Sequence, residues 1–396
     1  MVADRDAYIV SACRTAIGEF MGGLSSMTAP QLGAIAIREA VKRAGVDPKS
    51  VDEVLMGNVV QAGVGQAPAR QAAIHGGIPD TVPAMTVNKV CGSGLKAVML
   101  AAQAIRAGDA DVIVAGGMES MSNAPYFLKQ ARAGYRLGNG ELTDGVIHDG
   151  LWDSFNNFHM GSAAELIAKK FNVTREDQDR FSVESHQKAV KAWSDDAFRE
   201  ELVPVLVPQR KGEPKCFCKD ERPRSDTTME SLAKLRPAFQ KDGTVTAGNA
   251  PGLNDGASAV IVMSGDAMKR TNAKPMARVN GYAAGGVAPE MVFYAPVVAV
   301  KKLAEKMGRK TNEWDLIEAN EAFAAQAIVD GRELGWDFSR VNVRGGAVAL
   351  GHPIGASGAR VLTTLLYAMR DRKAKSGLAT LCLGGGNAVA LSVEAV

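Results

Sequence analysis

Cysteine, histidine and aromatic residues are scarce in this chain of 396 residues, which holds five Cys, five His and 6% Phe, Trp and Tyr. The cysteines, Cys13, Cys91, Cys216, Cys218 and Cys382, are odd in number and widely spread, which excludes a disulfide-framed scaffold. Cys216 and Cys218 have no second Cys or His pair near them, so a structural zinc site is excluded as well. Free cysteine is often a buried small hydrophobe, and Cys13, Cys216 and Cys218 are expected to be structural. Histidines and carboxylates do not cluster at metal-ligand spacing, and no metal is expected. A run of about 18 apolar residues is missing. The first six residues carry acids and no signal-like apolar stretch, so the expected compartment is the cytoplasm, away from membranes. A net charge of +3 is too small to mark a nucleic-acid binder. Neither Gly-rich loop matches G-x-G-x-x-G or the phosphate loop ending in Gly-Lys-Ser/Thr, which leaves hydride transfer and nucleotide hydrolysis without a motif.

Glycine is plentiful, at 42 residues. The length suits two or three domains. Strand and helix patterns alternate, as in an α/β protein with a largely parallel sheet. The opening reads as a strand at 7–10 and a helix over 31–44 stopped by Gly45. A β-branched strand follows at 52–60, then an Ala-rich segment to Gly76, a strand from Pro83 and a helix ending at Ala107. Leu95, Val98, Met99, Ala102 and Ile105 give that helix one apolar face, and Gly108 its stop. The run 111–117 is apolar without alternation, as in a strand covered on both faces. The last 120 or so residues replay this order. A strand begins at Ala277, 315–320 matches 52–58, and Val341-Asn342-Val343 precedes a second Gly-rich loop at 345–358. A helix with Val361, Leu362, Leu365, Leu366 and Met369 on one face follows, and 378–383 ends in Gly384-Gly385-Gly386. Two related α/β halves packed together are implied: 1–121, completed by about 251–273, and 274–396. Between them, 122–250 reads as an inserted, partly helical segment, with helices near 162–170 and 175–192, covering a site made by the halves.

Two strand-to-helix turns carry the reactive residues. Cys91 precedes Gly92-Ser93-Gly94 and a helix N-terminus, where free N–H groups and the dipole lower a thiol pKa below its ordinary 8.5 or so. The turn equally demands a small residue, so a nucleophile and a packing role both remain open. His352, in Gly351-His352-Pro353, takes the facing position in the second half. It is either the base of a Cys–His pair or a loop histidine bonded to backbone. Cys382 lies near the carboxyl end of a central strand, where α/β folds place their sites, or is simply buried. Asn320 could hold a water or an oxyanion, or cap the next helix. Glycines 384–386 let a backbone N–H approach a developing oxyanion, though turn geometry also explains them. Together these residues point to acyl transfer through a cysteine thioester, with a second thiol as acid or base.

The motifs Asn88-Lys89-Val90-Cys91-Gly92-Ser93-Gly94, Asn320-Glu321-Ala322-Phe323-Ala324, 345–353 and Cys382-Leu383-Gly384-Gly385-Gly386 strongly resemble those of the thiolases, over essentially the whole chain. The resemblance implies two five-stranded halves in a five-layer αβαβα core with an inserted loop domain. It implies Claisen condensation of two acetyl-CoA to acetoacetyl-CoA and CoA, and the reverse thiolysis. Cys91 would be the acylated nucleophile and His352 its activator, with Cys382 moving the Cα proton. Asn320, through a water, and His352 would face the enolate oxygen, and the N–H groups of Cys91 and Gly384 the tetrahedral oxyanion. His159-Met160-Gly161 resembles the biosynthetic, acetoacetyl-CoA-type members. Pro251 stands where that type has a Ser, and Val292-Phe293-Tyr294-Ala295-Pro296 where it has Met-Gly-x-Gly-Pro, so the acyl pocket wall is altered. Arg344 replaces a common Asn. By the same resemblance His159, Met160, Arg224, Ser231, Phe239, Ala247, Pro251, Val292 and Phe323 would border acyl-CoA, with surface charge the alternative for Arg224. The basic stretch Lys129, Arg132 and Arg136, with Tyr126 and Tyr135, reads as a solvated loop or, by resemblance, an assembly or CoA-attracting element rather than a nucleic-acid surface. No permanent cofactor is expected, CoA being substrate, and a homo-oligomer, tetramer or dimer, is. A degradative thiolase for longer or branched chains, a decarboxylating ketosynthase and a non-catalytic lipid-binding or scaffold subunit are the alternatives.

Overall fold

The computed structural model describes residues 4–396, so the first three residues of the N-terminal half lie outside the described residues. The first half runs β1 (Ala7–Thr15), α1 (Ala29–Ala44), β2 (Glu53–Gly57), α2 (Pro68–His75), β3 (Ala84–Val87), α3 (Ser93–Ala107) and β4 (Val112–Ser120). Helix α1 starts two residues before the sequence pattern suggests. Pro30 occupies its first turn, where the missing N–H costs nothing, and Thr28 and Gln31 form a capping box. Gly45 and Gly108 end α1 and α3 at φ of 65° and 90°, as left-handed caps. The inserted segment follows, with α4 (Met160–Lys170) and α5 (Arg175–Ser194), and leads to β5 (Asn254–Ser264).

The second half repeats the plan in β6 (Ala277–Gly286), α6 (Ala295–Met307), β7 (Leu316–Ala319), α7 (Ala324–Leu334), α8 (Ser357–Arg372), β8 (Ser376–Leu383) and β9 (Asn387–Glu394). Strand order is β7-β8-β9-β6-β1-β5-β4-β2-β3, so each half radiates from the antiparallel pair of β1 and β6 in the middle. The sheet is mixed rather than largely parallel. Only β2 with β4, β2 with β3, and β7 with β8 run parallel among these neighbours. The glycine turn at 384–386 is too short for a crossover and folds β9 back antiparallel on β8. The fifth strand implied for the second half shrinks to one bridge, Ile317 with Val341. Asn342 turns left-handed there, at φ 45°, and its side-chain amide takes over the pairing: Ala319 N donates to Oδ1 at 2.9 Å and Nδ2 donates to Ala319 O at 2.8 Å.

Five layers result. Helix α1 lays Leu32, Ala36, Ile37 and Ala40 on Val54, Met56, Val114 and Ile261. The apolar faces expected for α3 and α8 meet in the middle, between Leu55, Ile113 and Val260 of one half and Leu381, Val389 and Leu391 of the other. Helix α6 covers the far side through Val297, Val300 and Leu303. The inserted segment joins this frame at buried charges. Arg14 of β1 is fully buried between Glu201 at 2.5 Å and Asp220 at 2.8 Å. Arg344 reaches the same Glu201 at 3.2 Å and also Asp371 of α8. The residue without an assigned consequence in the sequence thus clamps the insertion to the second half.

Candidate active site

Cys91 sits between β3 and α3 on a turn that stores strain. Val90 before it has a φ of 46°, costly for a β-branched residue. Its N–H donates to Asn88 Oδ1 at 3.1 Å, and its carbonyl accepts from Ser93 Oγ at 2.6 Å. Gly92 is required by contact, because a Cβ there would lie 2.1 Å from Leu383, the residue after Cys382. The two helix N-termini are side by side, Gly358 of α8 packing against Leu95 of α3.

His352 is held on every side. Its N–H donates to Asn254 Oδ1 at 2.8 Å, and its Nδ1 lies 2.6 Å from Ser357 Oγ. Since Ser357 donates its own proton to Pro353 O at 2.9 Å, Oγ must accept from Nδ1–H, which leaves Nε2 as the free lone pair. Burial, aided by the charge of Arg360, lowers the imidazole pKa to about 3, so the ring is neutral. Asn320, at the end of β7 and fully buried, has Nδ2 3.5 Å from His352 Nε2, while its Oδ1 has no protein partner.

The thiols depart from expectation. Although Cys91 keeps part of its surface open, burial of its sulfur pushes the thiol up to about 12, against the lowering expected from the helix N-terminus. Desolvation by apolar neighbours outweighs the dipole, because no cation stands near enough to repay the charge. The N–H groups of Gly384 and of Cys91 itself do favour the thiolate, which aims two amides at the same sulfur. Cys382 is buried and raised well above the thiol range, by desolvation first and then by Cys91 and Asp330. Cys13 is buried as expected, its thiol bonded to Ala36 O at 3.2 Å. Cys216 and Cys218 are exposed: the hairpin strand Lys215–Phe217 turns only Phe217 inward, and Cys218 follows it.

Cys91, His352, Cys382 and Gly384 line one apolar cavity of about 290 Å³, together with His159, Met160, Phe239, Pro251, Val292 and Phe323. His159 stacks on Phe239 at 4.8 Å, accepts from Gly161 N at 3.0 Å and is lowered in pKa by burial. Phe293, next to Val292, packs edge-on against Phe323 at 5.2 Å and fills part of the wall. Helix α4 packs Ala163, Ala164 and Ile167 into the apolar cluster that contains Val292, Phe293, Phe323 and Cys382. Arg224, Ser231 and Ala247 are exposed and do not line it. Ser231 instead caps the short helix Met229–Ala233 together with Thr228.

Four residues missed in the sequence hold this site. Asn254 and Ser357 fix His352. Glu119 accepts from Val59 N at 3.1 Å and Gly355 N at 2.9 Å, tying the turn after β2 to the His352 loop. Glu321 accepts from Ser185 of α5 and Asn342, each at 2.8 Å, tying the insertion to the second half. For Glu119 and Glu321, an acid at the carboxyl end of an apolar strand was the available signal.

Family models match across nearly all of the chain, with the thiolase N-terminal domain at residues 7–266 and the thiolase C-terminal domain at 273–395. The chain is 58% identical to an acetyl-CoA acetyltransferase of Pseudomonas aeruginosa, covering 98% of this chain and 99% of that one. It is 56% identical to one of Cupriavidus necator, with the same coverage of each. A solved structure, the Bacillus anthracis acetyl-CoA acetyltransferase, superposes with a TM-score of 0.98 at 43% identity and covers both chains completely. With both family models matched in order over nearly the whole length, the chain belongs to the thiolase family.

Proposed function

We infer that the chain is an acetyl-CoA C-acetyltransferase, condensing two acetyl-CoA to acetoacetyl-CoA and CoA and running the reverse thiolysis. The observation that carries this reading is the meeting of Cys91, Cys382 and the free Nε2 of His352 in one apolar cavity. Relatives with identities of 54–58% that bear the acetyltransferase name support it.

The first half-reaction starts from a protonated Cys91. Nε2 of His352 takes the thiol proton as sulfur attacks the acetyl carbonyl, so a stable thiolate is never needed. CoA leaves as its thiol with the proton of Cys382, so acetyl-Cys91, a Cys382 thiolate and a His352 that keeps its new Nε2–H remain. Cys382 acts as the base for the second acetyl-CoA. Its thiolate takes a proton from Cα, the enolate carbon attacks acetyl-Cys91, and the adduct collapses to acetoacetyl-CoA by expelling the Cys91 sulfur, which regains its proton from Nε2–H of His352. The N–H groups of Cys91 and Gly384 receive the tetrahedral oxyanion. His352 and Asn320 face the enolate oxygen, the unpaired Oδ1 of Asn320 being free to hold a water there.

Coenzyme A enters as substrate, and no resident cofactor takes part in these steps. Among the described residues no helix is long and apolar enough to cross a membrane. A charged phosphorylated thioester does not cross membranes unaided, which supports action in the cytoplasm. Leu137, fully exposed, and Leu142 and Tyr126, largely so, lie on the arm around the short strands Tyr126–Phe127 and Thr143–Asp144 and support a homo-oligomer. Light scattering tests the assembly.

The deciding assay is CoA-dependent cleavage of acetoacetyl-CoA, beside a C6 to C10 series of 3-ketoacyl-CoAs and a Cys91→Ala control. Fast C4 turnover that falls with length and vanishes in Cys91→Ala is expected. Preference for longer chains overturns the substrate assignment, and no turnover overturns the reaction.

A further inference from the structure

A second pair of thiols lies outside the cavity. Cys216 belongs to the strand Lys215–Phe217, and Cys218 follows it; both are exposed. The strand pairs with Val205–Val207 from Lys215 to Phe217, so Cys218 is the first residue beyond the ladder. Alternate strand residues share a face, which sets both thiols opposite the buried Phe217. The Cys216 thiol is raised by desolvation and then by the charge and hydrogen bond of Cys218, so the two sulfurs interact. Within 208–219 stand Arg210, Lys211, Lys215 and Lys219 against one acid, Glu213. Among the described residues no group of three or more His, Cys, Asp or Glu could hold a metal ion. Two neighbouring thiols without further ligands are suited to exchange rather than coordination.

We propose that Cys216 and Cys218 form a surface dithiol that reduces anionic low-molecular-weight disulfides by thiol–disulfide exchange. Cys218, the first residue beyond the ladder and free of strand pairing, attacks first. Its thiolate bonds one sulfur of R–S–S–R, that S–S bond breaks, and one RS⁻ leaves to take a proton from water. Cys216 then loses its proton and attacks the Cys218 sulfur, expelling the second RS⁻. The protein pair is oxidised by two electrons and the disulfide reduced by two. Residues two apart on a strand have Cα atoms about 6.6 Å apart, at the upper edge of what a disulfide spans. Ring closure therefore bends the chain at Cys218, where no ladder bond opposes it, and the strained product is readily reduced again. The four cations favour partners that carry phosphate or carboxylate. Oxidised CoA and oxidised glutathione share that chemistry. Exchange needs only these two thiols, so it stands apart from the acyl-transfer reading.

The test treats the full-length, reduced protein at pH 8 with oxidised glutathione, oxidised CoA or cationic cystamine, and reads the peptide containing residues 216–218 by mass spectrometry after acid quench. Loss of two hydrogens from that peptide is expected, with two thiols released per chain. The Cys216→Ser protein is expected to stop at one stable mixed disulfide on Cys218. At low salt the anionic disulfides should react about fivefold or more faster than cystamine, with the gap closing near 0.5 M salt as the charges are screened. A peptide that stays reduced with all three, that carries only separate mixed disulfides in the parent protein, or that shows no charge preference overturns the proposal. Cys91 and Cys382 report on other peptides, so a failure of acetoacetyl-CoA cleavage would leave this readout untouched.

Discussion

Ser357 stands 2.6 Å from His352 Nδ1 and hands its own proton to Pro353 O at 2.9 Å, so one hydroxyl decides which imidazole nitrogen faces the cavity. Replacing it by alanine leaves a buried N–H unpaired and frees the ring to change tautomer. An unmet buried donor costs about 1–3 kcal/mol, so Ser357→Ala should lower kcat roughly 10- to 100-fold. Circular dichroism should be unchanged, and Ser357→Thr, which keeps the hydroxyl, should recover most of the rate.

The protonated state of Cys91 has a kinetic signature. With the thiol pushed up to about 12, the thiolate fraction grows tenfold per pH unit throughout the neutral range. Iodoacetamide should alkylate Cys91 in the substrate-free protein about tenfold faster for each unit between pH 6 and 9, without a plateau. A plateau near neutrality would indicate a thiolate–imidazolium pair and overturn the neutral assignment of both groups.

Phe293 governs space. Its ring is buried and braced on Phe323 at 5.2 Å, in the wall of the cavity that holds Cys91. Phe293→Ala removes most of that volume. The kcat/KM ratio of a C6 over a C4 3-ketoacyl-CoA should rise about tenfold or more, from the two extra methylenes at roughly 0.8 kcal/mol each. The same change should cost about 3–5 kcal/mol of stability, visible as a lower urea midpoint.

His186 of α5 couples stability to pH. Burial, then the charges of Arg224 and Arg222, lower its pKa to about 4. The folded protein keeps this ring neutral while the unfolded chain protonates it below about 6.5. Stability is therefore lost as pH falls from 6.5 towards 4, amounting to about 2 kcal/mol by pH 5. His186→Gln cannot titrate, so its stability relative to the parent should improve by that amount between pH 7 and 5 in urea unfolding. Parallel curves would exclude the linkage.

Much of this was legible in the sequence because local and global signals agree. Gly45 and Gly108 stop helices, the apolar stripes of α3 and α8 meet, and Cys91 and His352 on their turns and Cys382 at a strand end are brought together by a duplicated plan. What was not legible depends on distant partners. Asn342 replaces a strand residue by its side chain, which no periodicity reveals. The Cys91 thiol is set by the apolar surroundings assembled from both halves, while the sequence displays only its helix. Arg344 finds Glu201 and Asp371 across the fold, far along the chain. Exposure of Cys216 and Cys218 follows from which side of a three-residue strand turns inward.

Ser93 and Ser357 open the twin helices α3 and α8, and each bonds a carbonyl of the turn before it. In one copy that bond props the strained residue beside the nucleophile, and in the other it orients the imidazole. The two turns have diverged into complementary instruments, so neither half carries a working set. Severing the chain between β5 and β6 would yield two fragments, each inheriting one of the two active-site thiols, with the nucleophile Cys91 in the first and Cys382 and the imidazole in the second. Catalysis would return only on reassociation, which makes recovered turnover a direct gauge of how well the middle layer recognises its twin.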